Sequence, residues 1–300
     1  MKNIPPFLLL SLAAALPAAH AGSSVSSASP TSAPPLEEAF PSFRIDLASL
    51  YEFGDTTSAG PSGDIFQTRA SIPFLTTLAP GWRVLGFVGG SFTDYETDPF
   101  EGDGIQTWGL AALVTLEGQI TEATSVAVGG LGSASWEDGA SFSDSLNGGG
   151  LALISYRFSP TLKVGVGGLY LTRLNEDPLA IPALGLEWQP VEKLDVTLYG
   201  LNLRAQYELD AQWSVYLRGE YDPGGALLKD REDTEADSYE DQGIRAAAGV
   251  TWSAGRNFSL SLEGGVAFHE YTLRNDREEI LAKDRIDPAP FVGVAARLLF

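Results

Sequence analysis

The chain has 300 residues, with 39 acidic against 19 basic side chains, a net charge of −20, and no cysteine. Such a balance argues against a nucleic-acid partner, since phosphate binding needs a basic surface. The missing thiols exclude thiolate catalysis, Cys-based zinc sites and haem attachment at Cys, and the length suits one large barrel or about two ordinary domains.

In chain order, Met1-Lys2 gives a positive start, Pro6 to Ala18 is apolar, and Ala19-His20-Ala21 before Gly22 is an A-x-A cleavage site. Residues 1–21 therefore read as a signal peptide. The stretch is too short for a spanning helix, and no later segment approaches the roughly 20 apolar residues that a transmembrane helix requires. Residues 22–40 are rich in Ser, Ala and Pro without a period and read as a disordered periplasmic lead.

From residue 41 to 300 the pattern has period two. Phe43, Ile45, Leu47, Tyr51 and Phe53 share one face of a first strand, with Arg44, Asp46 and Glu52 on the other. Phe66, Ala70, Ile72 and Phe74 oppose Gln67 and Arg69; Ile154, Tyr156 and Phe158 oppose Arg157; Val164, Val166 and Tyr170 oppose Lys163 and Arg173. Further on, Val215, Leu217 and Tyr221 oppose Arg218 and Glu220, and Leu260, Leu262, Val266 and Phe268 oppose Glu263 and His269. A soluble sandwich also alternates, so the aromatic residues and loops decide between the two. Trp82, Trp108, Trp136, Trp188, Trp213 and Trp252 all fall on the apolar face near strand ends, as in the aromatic girdle of a barrel in lipid. Short turns, such as Ala79-Pro80-Gly81 and Ser159-Pro160-Thr161, interleave with longer acidic connections. The expectation is an all-β, antiparallel transmembrane β-barrel of the bacterial outer membrane.

A plain count gives 13 segments, beginning near residues 43, 64, 82, 105, 121, 149, 162, 179, 194, 213, 242, 258 and 288. Single-chain bacterial barrels have even numbers. The apolar phase runs through Leu194, Val196 and Leu198, then jumps to Leu201, Leu203, Ala205 and Tyr207, which requires a bulge or a reversal. Trp188 and Trp213 both flank short turns and belong at the same surface, so an even number of strands separates them. A tight reversal near Gly200 gives 14 strands; 12 is the alternative, in which one segment is not a strand.

The run Pro182-Ala-Leu-Gly185-Leu-Glu-Trp188-Gln-Pro190, followed by Tyr207-Glu-Leu-Asp-Ala-Gln-Trp213-Ser-Val-Tyr, resembles a family of uncharacterised outer-membrane barrels of unknown function. The resemblance covers about a sixth of the chain. It implies the barrel fold and an outer-membrane address, and it carries over no catalytic residue. Val292, Val294, Ala296, Leu298 and the terminal Phe300 alternate to an aromatic carboxy-terminus. This resembles the signal by which such barrels are recognised for insertion, and it implies the barrel-assembly machinery and outer-membrane lipid as partners.

Chemistry is sparse. His269 is the one histidine after the signal, no Gly-x-Ser-x-Gly elbow occurs, and the expected role is ordinary hydrogen bonding at the rim or in the lumen rather than catalysis. Asp94-Tyr-Glu96-Thr-Asp98 starts like a calcium loop, but Pro99 stands at the Gly position and Ile105 at the closing Glu position. Five acids from Asp94 to Asp103, and seven from Asp230 to Asp241, read as solvated outer loops with weak divalent-cation binding as the other use. No cofactor and no enzymatic activity are expected. The candidate lumen charges are Arg44, Asp46, Arg69, Arg157, Arg173, Arg204, Arg218, Glu220, Arg245, Glu263, His269 and Arg297, with Arg83, Glu52 and Glu187 on the same face. A lipid-facing Arg or Lys costs about 2–4 kcal/mol at the midplane, so these must face inward. The function expected is passage of small solutes or ions through the lumen. The alternative is a closed barrel whose acidic loops serve structure or binding; an outer-membrane hydrolase is a minor third.

Overall fold

The computed structural model describes residues 42–54, 64–97, 103–174, 176–229, 236–277 and 279–300. The expected signal and lead lie outside the described residues. Fourteen strands follow one another: β1 (Ser42–Glu52), β2 (Ile65–Ala79), β3 (Trp82–Thr97), β4 (Asp103–Gln119), β5 (Thr124–Glu137), β6 (Leu146–Ser159), β7 (Leu162–Arg173), β8 (Glu176–Val191), β9 (Leu194–Tyr199), β10 (Asn202–Glu208), β11 (Trp213–Leu227), β12 (Ser238–Ala254), β13 (Phe258–Arg274) and β14 (Ile280–Leu299). Each pairs antiparallel with the next, and β1 pairs with β14, from Arg44 opposite Leu299 to Glu52 opposite Phe291, closing the barrel.

The strand number is 14 and not 12, because the phase jump after Leu198 is a reversal. Tyr199 pairs with Asn202 and Leu198 with Leu203. Gly200 takes a φ of 63°, a left-handed conformation that residues with a Cβ rarely adopt. Leu203 thereby returns to the face of its partner Leu198. The two boundaries that differ most from the expected ones are those of β12, which begins at Ser238 rather than near 242, and β14, at Ile280 rather than near 288. The acidic stretch before Gly243 therefore ends inside the wall. Glu240 and Asp241, read as solvated loop acids, are strand residues with partners on β13, which removes the reason for them to stay in water.

Val88, Val128, Leu217 and Leu262 stand about 60 % exposed on the outside of the wall. The Trp residues form two belts. Trp82, Trp188, Trp213 and Trp252 lie at the end that carries the short turns and the C-terminus, with Trp213 opposite Trp252. Trp108 and Trp136 face each other towards the opposite, long-loop end.

The wall is uneven in height. Between β8, of 16 residues, and β11, of 15, the hairpin β9–β10 offers strands of 6 and 7. At about 3.3 Å per residue and a tilt of about 40°, six residues climb roughly 15 Å, against an apolar band of about 25 Å. Beside this notch β11, still paired with β12 as far as Leu227 opposite Ser238, carries its edge of the sheet inward, and Leu227 pairs in parallel with Trp136 of β5. The contact is locked by Lys229, whose backbone N–H donates to Glu137 Oε2 at 3.0 Å and whose Nζ lies 3.2 Å from Oε1. Pro223-Gly224-Gly225 is the local cause of the inward turn. At Gly225, with φ of 154°, a Cβ would sit 2.8 Å from the Tyr239 carbonyl oxygen.

Candidate functional site

Inward positions carry the chemistry, and they differ along the axis. At the short-turn end the interior is lined by charge that water reaches. Arg44 pairs with Asp46 at 2.7 Å, and Asp46 with Arg297 at 3.1 Å. Arg83 pairs with Glu117 at 2.7 Å; Lys163 stands 3.6 Å from Glu117 and 3.5 Å from Glu187, and Tyr199 Oη donates to Glu187 at 2.8 Å. The side chains of Glu187 and Arg297 are nearly half exposed, and Arg157 is exposed beside its register partner Lys163.

Halfway up, the charges close on one another. Arg218 Nε donates to Glu263 at 2.8 Å and the guanidinium also pairs with Glu220, while Tyr216 Oη donates to Glu263 at 2.9 Å. The Arg204 guanidinium lies 3.8 Å over the Tyr216 ring, a cation–π contact. Arg245 links Glu220, at 3.7 Å, to Glu52, at 2.7 Å. His269 ends the ladder, with Nε2 at 2.6 Å from Glu52 and Nδ1 at 2.8 Å from Asp241. Glu52, Arg245, Asp241 and His269 are all buried. Both ring nitrogens of His269 are thus engaged, one by each carboxylate. Neither nitrogen is left to activate a nucleophile. The two carboxylates lie on opposite sides of the ring and do not converge, and among the described residues no three of His, Cys, Asp and Glu are grouped to hold a metal ion.

Above the ladder come tyrosines. Tyr239 Oη donates to Tyr95 Oη at 3.1 Å, Tyr95 Oη reaches Asp241 at 3.4 Å, and His269 stacks on Tyr271 at 5.7 Å between ring centroids. β3 and β12 thus meet across the interior on this side. On the other side of β11 the filling is apolar: Phe87, Leu113, Leu131, Leu169, Leu171 and Tyr221 form one buried cluster. Burying each large apolar side chain is worth about 1.5–3 kcal/mol, so two different materials line the long-loop half.

Of the sequence candidates, Arg218, Glu220, Arg245, Glu263 and His269 come together in one ladder, and Arg44, Asp46 and Arg297 in a separate belt at the short-turn end. Arg204 joins the ladder through Tyr216. Arg69 is half-buried on β2, and Arg173 stands opposite Glu176 in the β7–β8 register, away from both groups. Phe300 is exposed at the short-turn end, where Leu299 N–H donates to Asn257 O at 2.8 Å. Sequence reasoning missed Asp241 and the tyrosines. The signal was present: Tyr239, Asp241 and Arg245 share parity on β12, and Gly243 between them faces His269 in the register.

A family model described as a domain of unknown function (DUF6268) matches residues 124–292, from the start of β5 into β14. None of the curated proteins matches the chain. Among solved structures the chain is similar to an outer membrane channel from Pseudomonas putida F1, at 7 % identity and a TM-score of 0.47, over 90 % of this chain and 100 % of that one. It is also similar to a FadL homologue of Pseudomonas aeruginosa, at 9 % identity and a TM-score of 0.46, over 86 % and 89 %. A third is the toluene transporter TodX of Pseudomonas putida, at 8 % identity and a TM-score of 0.38, over 87 % and 89 %.

Proposed function

From the premise that this chain belongs to the DUF6268 family, whose function is unknown, we propose that it is a channel of the bacterial outer membrane for passive passage of small solutes or ions. A closed wall with an apolar outside and two Trp belts suits a bilayer. The observation that carries the reading is the short-turn half of the lumen, where Arg83, Glu187, Arg157 and Arg297 stay open to water inside a 14-stranded wall. Short turns face the periplasm in such barrels, so this half is a periplasmic vestibule, and its charges sort ions as they approach the narrower ladder.

The test is single-channel current from the refolded protein in a planar bilayer. Open steps are expected, and Arg218→Ala, which releases Glu220 and Glu263, shifts their selectivity towards cations. Silence from protein that is inserted and rich in β-structure overturns the reading. A second reading, a closed barrel with a structural or binding role, is favoured by the buried run from Glu220 through Arg245, Glu52 and His269 to Asp241, which fills one side of the long-loop half. It predicts a silent wild type and current only when Arg245→Ala opens that run.

A further inference from the structure

Arg204 is the odd member of the lumen charges. It is half-buried on β10, yet among the described residues no carboxylate lies within ion-pair distance of it. Asp195, opposite Gln206 in the β9–β10 register, falls outside that distance. Glu263, whose charge reaches Arg204, has both oxygens engaged: Oε2 accepts from Arg218 Nε at 2.8 Å and Tyr216 Oη at 2.9 Å, and Oε1 from Arg218 Nη2. A guanidinium that loses water without gaining a counter-charge is costly to hold. What holds Arg204 is neutral and well fixed. Its Nε donates to Gln206 Oε1 at 3.2 Å, and Gln206 Nε2 donates in turn to Ser214 Oγ at 3.1 Å. Its Cζ lies 3.8 Å over the Tyr216 ring. That ring lies against the wall, where a Cβ on Gly249 would come within 2.4 Å of the ring Cζ. The guanidinium therefore rests on the lumen side of the ring.

With Nε occupied and one face on the ring, the Nη1–Nη2 edge makes no hydrogen bond among the described residues. Such an edge is the fork that binds a carboxylate through two parallel N–H···O bonds, and here it is fixed before a ligand arrives. Positive charge is also in surplus around it. The charges of Arg218 and Arg297 reach Arg204, and that of Arg297 reaches Arg44. Arg218 is neutralised by Glu220 and Glu263, whereas Arg44 and Arg297 share Asp46. Arg44, Arg204 and Arg297 thus have one paired carboxylate between them, in a chain whose net charge is −20. Water reaches the group from the short-turn end, since the Arg297 side chain is nearly half exposed. A lumen region of one sign inside a low-dielectric wall concentrates counter-ions.

We propose that Arg204 anchors an anion site in the lumen, which takes one carboxyl group of a small organic carboxylate on its free edge, with Arg297 and Arg44 supplying the surrounding positive charge. The proposal rests on the channel reading, whose substrate class it names. A carboxylate suits the site better than a phosphate does. The free edge is single and planar, and the other two guanidiniums are already tied to Asp46, so donors do not converge from several sides as a tetrahedral dianion requires.

Saturation-transfer NMR on the full barrel in a deuterated non-ionic detergent tests it, with succinate as the probe. A saturable transfer from the protein to the succinate methylene protons is expected. Arg204→Lys, which keeps the charge and loses the fork, weakens binding about tenfold, as loss of one charge-assisted hydrogen bond does. Arg297→Gln weakens it by a smaller factor. Arg277→Gln removes the same charge from the long-loop end, where that side chain is exposed, and leaves binding unchanged. No saturable transfer in wild-type protein that migrates as folded on a gel overturns the proposal. So does undiminished binding in Arg204→Lys, or an equal loss in Arg277→Gln, which would make the attraction one of overall charge. Inorganic phosphate that displaces succinate more readily than malonate does overturns the carboxylate assignment. Ion current through the same wild-type protein is read separately. A silent barrel that binds succinate loses the channel reading and keeps the site; a conducting barrel that does not bind it loses the site alone.

Discussion

On the side of β12, β13 and β1 the long-loop half of the barrel is filled by ions and tyrosines; on the side of β7, β8 and β11 it is filled by leucines, a phenylalanine and Tyr221. The wall accounts for the difference. Where strands run to full height, charge inside is shielded from lipid, and the run from Glu263 to Asp241 satisfies itself with opposite partners. Where the wall stops at Gly200, a charge would lie close to hydrocarbon, at a cost of about 2–4 kcal/mol at the midplane. An apolar filling is the one that tolerates a missing wall.

The comparison is broken most sharply on the charged side. Glu52→Ala leaves Arg245 and His269 buried without their shared carboxylate, and breaking a buried pair in this way costs about 3–5 kcal/mol. A large fall in the urea midpoint of the reconstituted barrel is expected; a fall equivalent to less than 1 kcal/mol would mean that water reaches the ladder. Next is the apolar side, where Leu171→Ala is expected to cost about 2–4 kcal/mol in the same measurement. A near-zero result would show that lipid or solute already occupies the space and that the cluster is not a core. The smallest effect on stability belongs to the vestibule. Arg83→Ala removes a part-buried pair with Glu117, whose carboxylate keeps Lys163 as a partner, at a cost of about 1 kcal/mol, yet it shifts ion selectivity towards cations in a bilayer recording, and an unmoved reversal potential would take Arg83 off the conducting path.

Much of the wall was legible in the sequence because alternation is a local property. The jump between Leu198 and Leu201 sufficed to locate the β9–β10 reversal, and the parity of Arg218, Glu263 and His269 placed them inside. What alternation does not encode is distance across the lumen. Nothing near Leu227 names Trp136 as its neighbour, and Pro223-Gly224-Gly225 marks a break without saying where the chain goes next. Asp241 was hidden differently: it closes an acidic run whose composition favours solvent, and a histidine 28 positions later draws it into the wall. The apolar cluster escaped notice because Leu113, Leu131 and Leu171 are inward-facing leucines in strands whose outward faces are also apolar.

The low hairpin has a consequence for the bilayer itself. In a bilayer, lipid beside β9 and β10 would meet a protein surface shorter than the surface a few strands away, so the membrane around this barrel would not be of even thickness. Thinning at one point of the perimeter costs a fraction of a kcal/mol per ångström of mismatch, and packing two such barrels notch to notch would confine the thinned patch between them. The lipid, as much as the protein, thereby singles out one side of an otherwise round molecule.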